Sequence, residues 1–215
     1  MYKMLVLDME PAVLNGEGLV LLAREVGLEK EVTEITNDGL AGKIDWETGL
    51  RKRIDLLRGT RYSIVKRVFD NMPYTDGIKE VFAYTRQNGI LTAIVTGGFD
   101  IQAQRIKKEF GIDYLAANEL VFRNGRLDGV TVHVNHNKHE HVDRFKRDAG
   151  IIGKVLVVGD GKNDLTMIQR EHGVGINTVN EAVKRACRVQ IYHPIQLIDI
   201  LRNPESYLGG AYARY

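Results

Sequence analysis

The sequence predicts an α/β protein in which a doubly wound parallel sheet carries a small helical cap inserted after the first strand. Two observations lead to this fold class. From residue 74 onward, short apolar runs alternate with segments of helical periodicity, which is typical of parallel strands joined by right-handed crossovers. Between the first apolar run and residue 74, the apolar residues follow only a helical spacing.

Length, charge and cysteine content narrow the classes of function. The 215 residues suffice for one domain with a sub-domain. The net charge of +2 gives no argument for a nucleic-acid or membrane partner. One cysteine excludes an intramolecular disulfide and fits a reducing compartment. The chain shows no leader pattern and no apolar run near the ~20 residues that cross a bilayer, so we expect a soluble, cytoplasmic protein.

The first predicted strand ends in acidic residues. An apolar run over residues 4–7 is followed by Asp8, and Glu10 comes two positions later. An unpaired charge at a buried strand end is costly or shifts its pKa, so such acids need a reason. A metal ion or a reaction is one reason, and the start of a solvated loop is the plainer alternative for this pattern taken alone.

The segment after this strand shows three helical stripes and no strand. Gly27 and Gly59 end the first two stripes, and Pro73 stops the third. The apolar positions are Leu19, Leu22, Ala23 and Val26, then Leu50, Ile54 and Leu57, then Ile64, Val65 and Val68. We assign residues 14–73 to the cap, residues 1–13 and 74–202 to the core, and residues 203–215 to a C-terminal tail. The three tyrosines of the tail fit either disorder or packing on a partner subunit, so a homo-oligomer stays open.

The first elements after the cap have clear boundaries. Asp76 is expected to cap a helix that runs to Asn88. A strand over residues 90–95 then ends in the residues 96–98, Thr-Gly-Gly, and a helix over residues 100–110 follows.

The rest of the core begins with a hairpin. Asn124-Gly125 signals a hairpin-type turn, within a loop longer than two residues, between strands over 120–122 and 130–134. The remaining expected elements are a helix over 139–149, a strand over 155–158, a helix ending at 170, a strand over 174–176, a helix opened by the capping box of Thr178 and Glu181, a strand over 189–191 and a helix over 195–201.

Three predicted strands end in polar groups of complementary kinds. These groups are Asp8 and Glu10, then Thr96 with Gly97 and Gly98, then Asp160 with Asn163 and Asp164. Because parallel strands place such ends at one edge of the sheet, Asp8 and Asp160 would form an oxygen-rich shell for Mg²⁺. Thr96 and the glycine amides would cradle an anion. Each glycine motif alone is usually only a turn. A metal site beside an anion cradle and a free carboxylate, however, indicates phosphoryl transfer with a carboxylate nucleophile.

A histidine cluster gives a competing metal site. His133, His136, His139 and His141 have spacings that could supply a transition-metal site. Since the cluster holds no other soft ligand, a solvated histidine-rich loop is the favoured interpretation.

These motifs together resemble the haloacid dehalogenase (HAD) superfamily of phosphohydrolases, and within it the phosphoserine phosphatase branch. The resemblance extends from Leu5 to about residue 200 and is most specific at residues 96–100, 158–164 and 50–57. It implies a HAD-like Rossmannoid catalytic core and a Mg²⁺ cofactor. It also implies a cytoplasmic phosphomonoester hydrolase of serine biosynthesis, acting on a small phosphorylated metabolite such as O-phosphoserine.

The resemblance also implies residue roles. Asp8 would become an aspartyl-phosphate, and Glu10 would be the general acid and then the base, while its backbone carbonyl binds Mg²⁺. Asp160 would be the other metal ligand and Asp164 would act behind it or through water. The remaining matches are Thr96, Gly97 and Gly98 as phosphoryl-binding residues, Lys138 as the neutralising lysine, Asn163 as its helper in the same loop, and Glu17 and Arg53 as contacts for the ammonium and carboxylate of the substrate.

The sequence pattern alone supports a substrate-binding role more strongly for Arg53 than for Glu17. Arg53 follows Leu50 by three positions and precedes Leu57 by four, so it points along the apolar stripe, where a guanidinium favours a carboxylate partner. An arginine whose stem packs on the core while its head reaches water is the alternative. Glu17 lies in a first helical turn, where a negative charge is favourable for local reasons alone.

The chain departs from the usual Asp-x-Asp-x-Thr signature. Glu10 carries an extra methylene, which moves the acid/base carboxyl by ~1 Å. Pro11 removes an amide donor and Ala12 removes a supporting hydroxyl. The Asp-x-Glu form also resembles a branch related to phosphoserine:homoserine phosphotransferases. We therefore expect a Mg²⁺-dependent phosphatase, with a phosphotransferase to an amino-alcohol and a catalytically weak HAD-like binding protein as alternatives.

Overall fold

The computed structural model describes residues 2–40 and 43–208 and contains a seven-stranded sheet. The strand order is β4-β3-β2-β1-β5-β6-β7, and only the β3–β4 pair is antiparallel. The strands are β1 (Met4–Leu7), β2 (Leu91–Phe99), β3 (Tyr114–Arg123), β4 (Arg126–Thr131), β5 (Leu156–Gly159), β6 (His172–Ile176) and β7 (Val189–Ile191). The predicted α/β class with a parallel sheet is confirmed.

Eleven helices accompany the strands in the described part of the chain. They are α1 (Gly18–Glu25), α2 (Glu29–Leu40), α3 (Trp46–Leu57), α4 (Tyr62–Asp70), α5 (Ile78–Gln87), α6 (Asp100–Phe110), α7 (Lys138–Asp148), α8 (Leu165–Arg170), α9 (Glu181–Ala186), α10 (Gln196–Arg202) and α11 (Pro204–Leu208), with a 3₁₀ turn over Lys162–Asp164. No helix in the described ranges is long and apolar enough to cross a membrane.

The sheet is buried on both faces. In β1, Leu5 and Leu7 pack into one apolar cluster, whereas Met4 and Val6 pack into the other. Successive side chains of a strand point to opposite faces, so a strand covered on both sides must be apolar throughout. This explains why β1 and β5 read as continuous apolar runs rather than as alternating ones.

Four helices, α1 to α4, lie between β1 and α5. The two ends of this helical insert lie side by side. There, the amide of Thr75 donates to the carbonyl of Val13, and the amide of Asn15 donates to that of Pro73, each over 2.9 Å. A paired stem of this kind lets the inserted helices sit over the end of β1.

Helix α2 was not predicted. Its apolar stripe is weak. Among the described side chains of α2 only Val32 is buried, and the rest of the segment is mostly acidic and polar. It forms in the folded chain by packing against α1 and α3.

The second strand is longer than expected. We predicted that it would end before Thr96, but β2 continues through Thr96, Gly97 and Gly98 to Phe99. Its regular pairing with β3 stops at Val95 and resumes at Phe99 with a register shift. Extended backbone with an irregular register keeps Thr96 and the glycines at the sheet end while α6 begins at Asp100 as predicted.

The hairpin loop is shorter than expected. Arg123 pairs with Arg126, so the connection is the two-residue turn Asn124-Gly125, with φ values of 51° and 70°. Positive φ at both positions is the requirement of the type I′ turn that Asn-Gly favours.

Two predicted helix caps were wrong. Helix α5 begins after Gly77, whose φ is +80°, and the side chain of Asp76 does not cap it. The side chain of Asn180 caps α9 by accepting from the amides of Ala182 and Val183. Thr178 instead donates its hydroxyl to the carbonyl of Asp160 over 2.5 Å, and so ties two loops together.

Candidate active site

Asp8 follows β1, the central strand, between the ends of β2 and β5. Its amide donates to the carbonyl of Val158 over 2.9 Å, and its Oδ1 accepts from the amide of Met9 over 2.7 Å. Only 6% of Asp8 is exposed, and the carboxylate faces the cavity described below. A carboxylate fixed this firmly and still reachable by a ligand is suited to attack an electrophile.

Lys138, at the start of α7, is the cation of the site. Its Nζ lies 3.0 Å from Oδ1 of Asp8 and 2.5 Å from Oδ1 of Asp164. The residue is fully buried. Although burial opposes its charged form, the carboxylates of Asp164 and Asp8 hold the pKa of Lys138 above its ordinary value. The lysine therefore stays protonated between the two acids.

Asp164 braces the loop after β5. Its Oδ2 accepts from the amides of Asp160 (3.0 Å) and Gly161 (2.9 Å), while Oδ1 receives Lys138. With both oxygens engaged, Asp164 holds the loop and the lysine in place. This fits a residue that reaches a metal through water rather than directly.

Three carboxylates converge beside this lysine. Asp8, Asp160 and Asp164 each offer an oxygen within 4.8 Å of the others, which is a geometry that could hold a metal ion. Burial, together with Asp164 and Asp8, raises the pKa of Asp160 to about 8. Burial raises the pKa of Asp8 to about 6, against the lowering effect of Lys138. One lysine does not neutralise three acids, of which Asp8 and Asp164 are buried, so a divalent cation suits this donor set.

The end of β2, the neighbour of β1, lines the same cavity as Asp8 and Asp160. The hydroxyl of Thr96 accepts from the amide of Gly98 over 2.9 Å, which fixes the position of the threonine side chain beside the two glycines. A Cβ built on Gly97 would lie 2.7 Å from Cζ2 of Trp46, so a larger residue cannot fit there without displacing the indole. Thr96, Gly97 and Gly98 all line the cavity, as the sequence predicted.

Glu10 points its carboxyl toward the insert. Oε1 accepts from Nε2 of Gln102 over 2.7 Å, and Oε2 accepts from the amide of Gly18 over 3.2 Å. Burial and then the charge of Glu17 raise the pKa of Glu10 to about 8. A carboxyl with a raised pKa, in the same cavity as Asp8, can carry a proton near neutral pH.

A cavity of about 650 Å³ joins the sheet end to the insert. The core side supplies nine residues of the predicted site and its loops, namely Asp8, Glu10, Thr96, Gly97, Gly98, Asp160, Gly161, Lys162 and Asn163. The insert supplies Glu17 and Arg53 among others. Of the predicted site residues, only Lys138 and Asp164 do not line it, because they lie buried directly beneath Asp8.

Arg53 reaches the cavity from α3. Its Nε donates to the carbonyl of Gly49 over 3.2 Å, and Nη1 lies 3.4 Å from the hydroxyl of Thr36. Burial lowers the pKa of Arg53 despite the nearby charges of Glu17 and Glu10. Glu17 is more exposed and precedes α1 without capping it through its side chain. The insert thus presents a cation and an acid above the carboxylate cluster.

The histidines do not form a second metal site in the described residues, where the convergent ligand set is the aspartate cluster. His133 faces Glu119 at 3.7 Å, and Nε2 of His141 lies 3.1 Å from the carbonyl of His133. His136 lines the cavity and meets the indole of Trp46 edge-on, with ring centroids 6.3 Å apart.

Sequence reasoning missed three residues of this site: Trp46, Gln102 and Asn118. Asn118 is fully buried and donates to the carbonyl of Gly97 over 2.8 Å. Its Oδ1 accepts from the amides of His133 and Val134. Each of the three acts through a contact distant in sequence. For Trp46 and Gln102 the available signal was a position close to a recognised motif, at residues 50–57 and 96–100, whereas Asn118 had no such signal.

The fold and this cluster of buried acids around a lysine define a hydrolase class. The model of the haloacid dehalogenase-like hydrolase family matches residues 8–169, and the chain belongs to that family.

Within the family, the chain is similar to phosphoserine phosphatases. It is 33% identical to the phosphoserine phosphatase of Methanocaldococcus jannaschii, over 78% of this chain and 82% of that protein. It is 31% identical to that of Streptococcus thermophilus, over 91% of this chain and 95% of that protein. A solved structure of a phospho-aspartyl intermediate analogue of phosphoserine phosphatase superposes with a TM-score of 0.85 at 30% identity, covering 94% and 98% of the two chains. The chain is an enzyme of the phosphatase type.

Proposed function

We propose that the protein hydrolyses a small phosphomonoester of the O-phosphoserine type, with Mg²⁺ as cofactor and Asp8 as nucleophile. The observation that carries the proposal is the pairing of Asp8 with the buried Lys138 at the base of a cavity that also holds Glu10. The comparison with phosphoserine phosphatases supports the choice of substrate.

In the first step, a carboxylate oxygen of Asp8 attacks phosphorus. The new bond joins that oxygen to phosphorus, the bond from phosphorus to the alcohol oxygen breaks, and Glu10 gives its proton to the departing oxygen. In the second step, Glu10 takes a proton from water as the water oxygen attacks phosphorus. The bond to Asp8 then breaks, so inorganic phosphate leaves and Asp8 is restored.

The other residues bind and orient. The ammonium of Lys138 compensates charge on Asp8 and on the phosphoryl group, while Thr96 and the amides of the adjacent glycines hold phosphoryl oxygens. Asn163 lines the same side of the cavity. These groups stabilise the charge of the transferring phosphoryl group without taking part in bond changes.

A divalent cation would be held by the carboxylates of Asp8 and Asp160, by the backbone carbonyl of Glu10, and by Asp164 through water. The fit rests on the cluster of acids, in which burial, and then the charges of Asp164 and Asp8, raise the pKa of Asp160 to about 8. Bound there, Mg²⁺ would keep these acids ionised and offset charge on the phosphoryl group.

We propose that residues 14–73 form a cap that selects the substrate. The guanidinium of Arg53 would bind a substrate carboxylate, and the carboxylate of Glu17 would bind an ammonium group. The support is that both residues line the same cavity as Asp8. An amino-acid phosphate presents all three groups at once.

The test is a panel of phosphomonoesters assayed for phosphate release with Mg²⁺. We expect O-phosphoserine to give the highest kcat/KM and the Asp8→Asn variant to lose turnover. Phosphoserine no better than other small monoesters would overturn the substrate, and full turnover by Asp8→Asn would overturn the mechanism.

A second candidate is transfer of the phosphoryl group to an alcohol. The cavity of about 650 Å³ is in the range of pockets for drug-sized ligands, so it has room for a second small molecule beside the phosphoryl group. Product analysis with homoserine added separates the two activities, because transfer yields a new phosphomonoester and hydrolysis yields inorganic phosphate.

A further inference from the structure

We infer that Gln102 is a positioning residue for Glu10, and that it fixes the longer acid/base side chain of this chain in its working place. The inference rests on the proposed function, since it concerns the acid/base step. Gln102 is the third residue of α6, and its side chain bridges the core to the carboxyl of Glu10.

The contact is short, and its glutamine side is buried. Nε2 of Gln102 lies 2.7 Å from Oε1 of Glu10, and Gln102 is 1% exposed. A buried amide donor of this kind holds an acceptor more firmly than an exposed one, because water does not compete for the donor. The amide is neutral, so it orients the carboxyl without adding a charge to the cavity.

The other end of the amide decides which atom faces Glu10. Oε1 of Gln102 lies 3.4 Å from the amide of Phe99 and accepts from it, as a glutamine at this position of a helix commonly does. Since that backbone group can only donate, the oxygen must face it, and the nitrogen is left for Glu10. The sulfur of Met72 lies 2.9 Å from the same nitrogen and closes the remaining side.

Gly18 completes the arrangement. Its amide donates to Oε2 of Glu10 over 3.2 Å. A Cβ built on Gly18 would lie 2.6 Å from Nε2 of Gln102 and 3.0 Å from Oε1 of Glu10. The space that a side chain would take at position 18 is therefore filled by the Glu10–Gln102 pair.

These contacts answer the question raised by the extra methylene of Glu10. A longer side chain has one more rotatable bond, so its carboxyl would sample several positions if it were unrestrained. Gln102 and Gly18 hold one oxygen each and select a single position. Displacing a reacting group by ~1 Å can cost about a hundredfold in rate, so losing the amide should be visible in kinetics.

The experiment measures kcat/KM of Gln102→Met for two substrates, O-phosphoserine and p-nitrophenyl phosphate. The serine alkoxide is a poor leaving group that needs a proton, whereas nitrophenolate leaves without one. Because kcat/KM reports steps up to phosphoenzyme formation, a misplaced acid affects the first substrate selectively. We expect a loss on the order of tenfold to a hundredfold for phosphoserine and less than about threefold for the aryl phosphate.

A double-mutant cycle with Glu10→Asp tests whether the effect passes through Glu10. The shorter acid cannot reach the amide at hydrogen-bond distance, so Gln102→Met should cost less than about threefold in that background. Gln102→Glu keeps the size of the side chain while placing a carboxylate against Glu10, and it should show the same selective loss. Thr85→Val is the matched control, because it removes another buried hydrogen bond, from Thr85 to the carbonyl of Phe82, away from the cavity.

Equal losses on both substrates, or additive losses in the Glu10→Asp background, would show a structural role only and overturn the inference. Kinetics of Gln102→Met equal to those of the wild type would also overturn the inference. These results differ from failure of the proposed function, which would appear as no phosphate release by the wild type or as full turnover by Asp8→Asn.

Discussion

The ammonium group of Lys138 lies 3.0 Å from Oδ1 of Asp8, and the two side chains are 0% and 8% exposed. This ion pair sits directly under the cavity and is shared with Asp164. A buried charge left without its partner is strongly destabilising, so the pair links the stability of the fold to the position and charge of the proposed nucleophile.

Replacing Lys138 by methionine should therefore damage both properties. We expect a loss of unfolding free energy of about 3–5 kcal/mol and a fall of kcat for phosphoserine by at least about a hundredfold. Urea unfolding and steady-state kinetics measure the two. Lys146→Met, which breaks the pair with Glu171 elsewhere in the core, is the control for stability without loss of the site. Unchanged unfolding and kcat in Lys138→Met would contradict the role given to this pair.

Metal binding should depend on Asp160. Saturating Mg²⁺, at about a hundred times its dissociation constant, should stabilise the wild type by ~2.7 kcal/mol against unfolding. Asp160→Asn should lose most of this gain, because it removes a carboxylate of the cluster. Thermal unfolding with Mg²⁺ or with EDTA gives the comparison, and the surface variant Asp143→Asn serves as control. Equal stabilisation of Asp160→Asn and wild type would refute the proposed site.

Arg53 should determine selectivity for a substrate carboxylate. Arg53→Ala should raise KM for O-phosphoserine by about tenfold or more and leave KM for phosphoethanolamine, which has no carboxylate, nearly unchanged. Arg53→Lys should recover part of the loss, since a point charge replaces the two-pronged guanidinium. Arg51→Ala, an exposed neighbour paired with Glu47, is the control. A parallel rise of KM for both substrates would count against a carboxylate contact.

Trp46 and Gly97 should show a size trade-off. Gly97→Ala places a methyl group 2.7 Å from the indole, so we expect a loss of kcat/KM of about tenfold or more. Trp46→Leu removes the clashing atoms and should restore part of that loss in the double variant. Gly129→Ala is a matched control, because a Cβ there meets nothing within 4 Å. Additive losses in the double variant would mean that the two positions are independent.

The contribution of His172 to stability should fall in acid. Burial lowers the pKa of His172 from 6.5 to about 4, and its Nδ1 lies 2.6 Å from the hydroxyl of Tyr2. Between these pH values the imidazole of His172 binds a proton in the unfolded chain but not in the folded chain, so its contribution to the unfolding free energy decreases as pH falls from 6.5 to about 4. His172→Gln should flatten that decrease by an amount on the order of 1 kcal/mol, measured by urea unfolding at several pH values. The same slope in wild type and variant would exclude His172 as its source.

Much of the fold was predictable because its signals are local. The apolar runs of β1 and β5 and the stripe of α3 are continuous in sequence, and the structure has those elements where they were expected. The weak stripe of α2 gave no such signal, since that helix depends on packing against α1 and α3. The wrong cap at Thr178 has the same origin, because its hydroxyl finds a partner, Asp160, eighteen residues away.

The sequence by itself determined which groups stand at three strand ends: an acid at the end of β1, a threonine with two glycines at the end of β2, and a second acid at the end of β5. Only the tertiary structure decided how those groups are held. Gln102 meets Glu10 across 92 positions of sequence, and Lys138 meets Asp164 across 26. A residue's type limits which bonds it can form, but the partner it bonds to depends on which strand ends the sheet brings together.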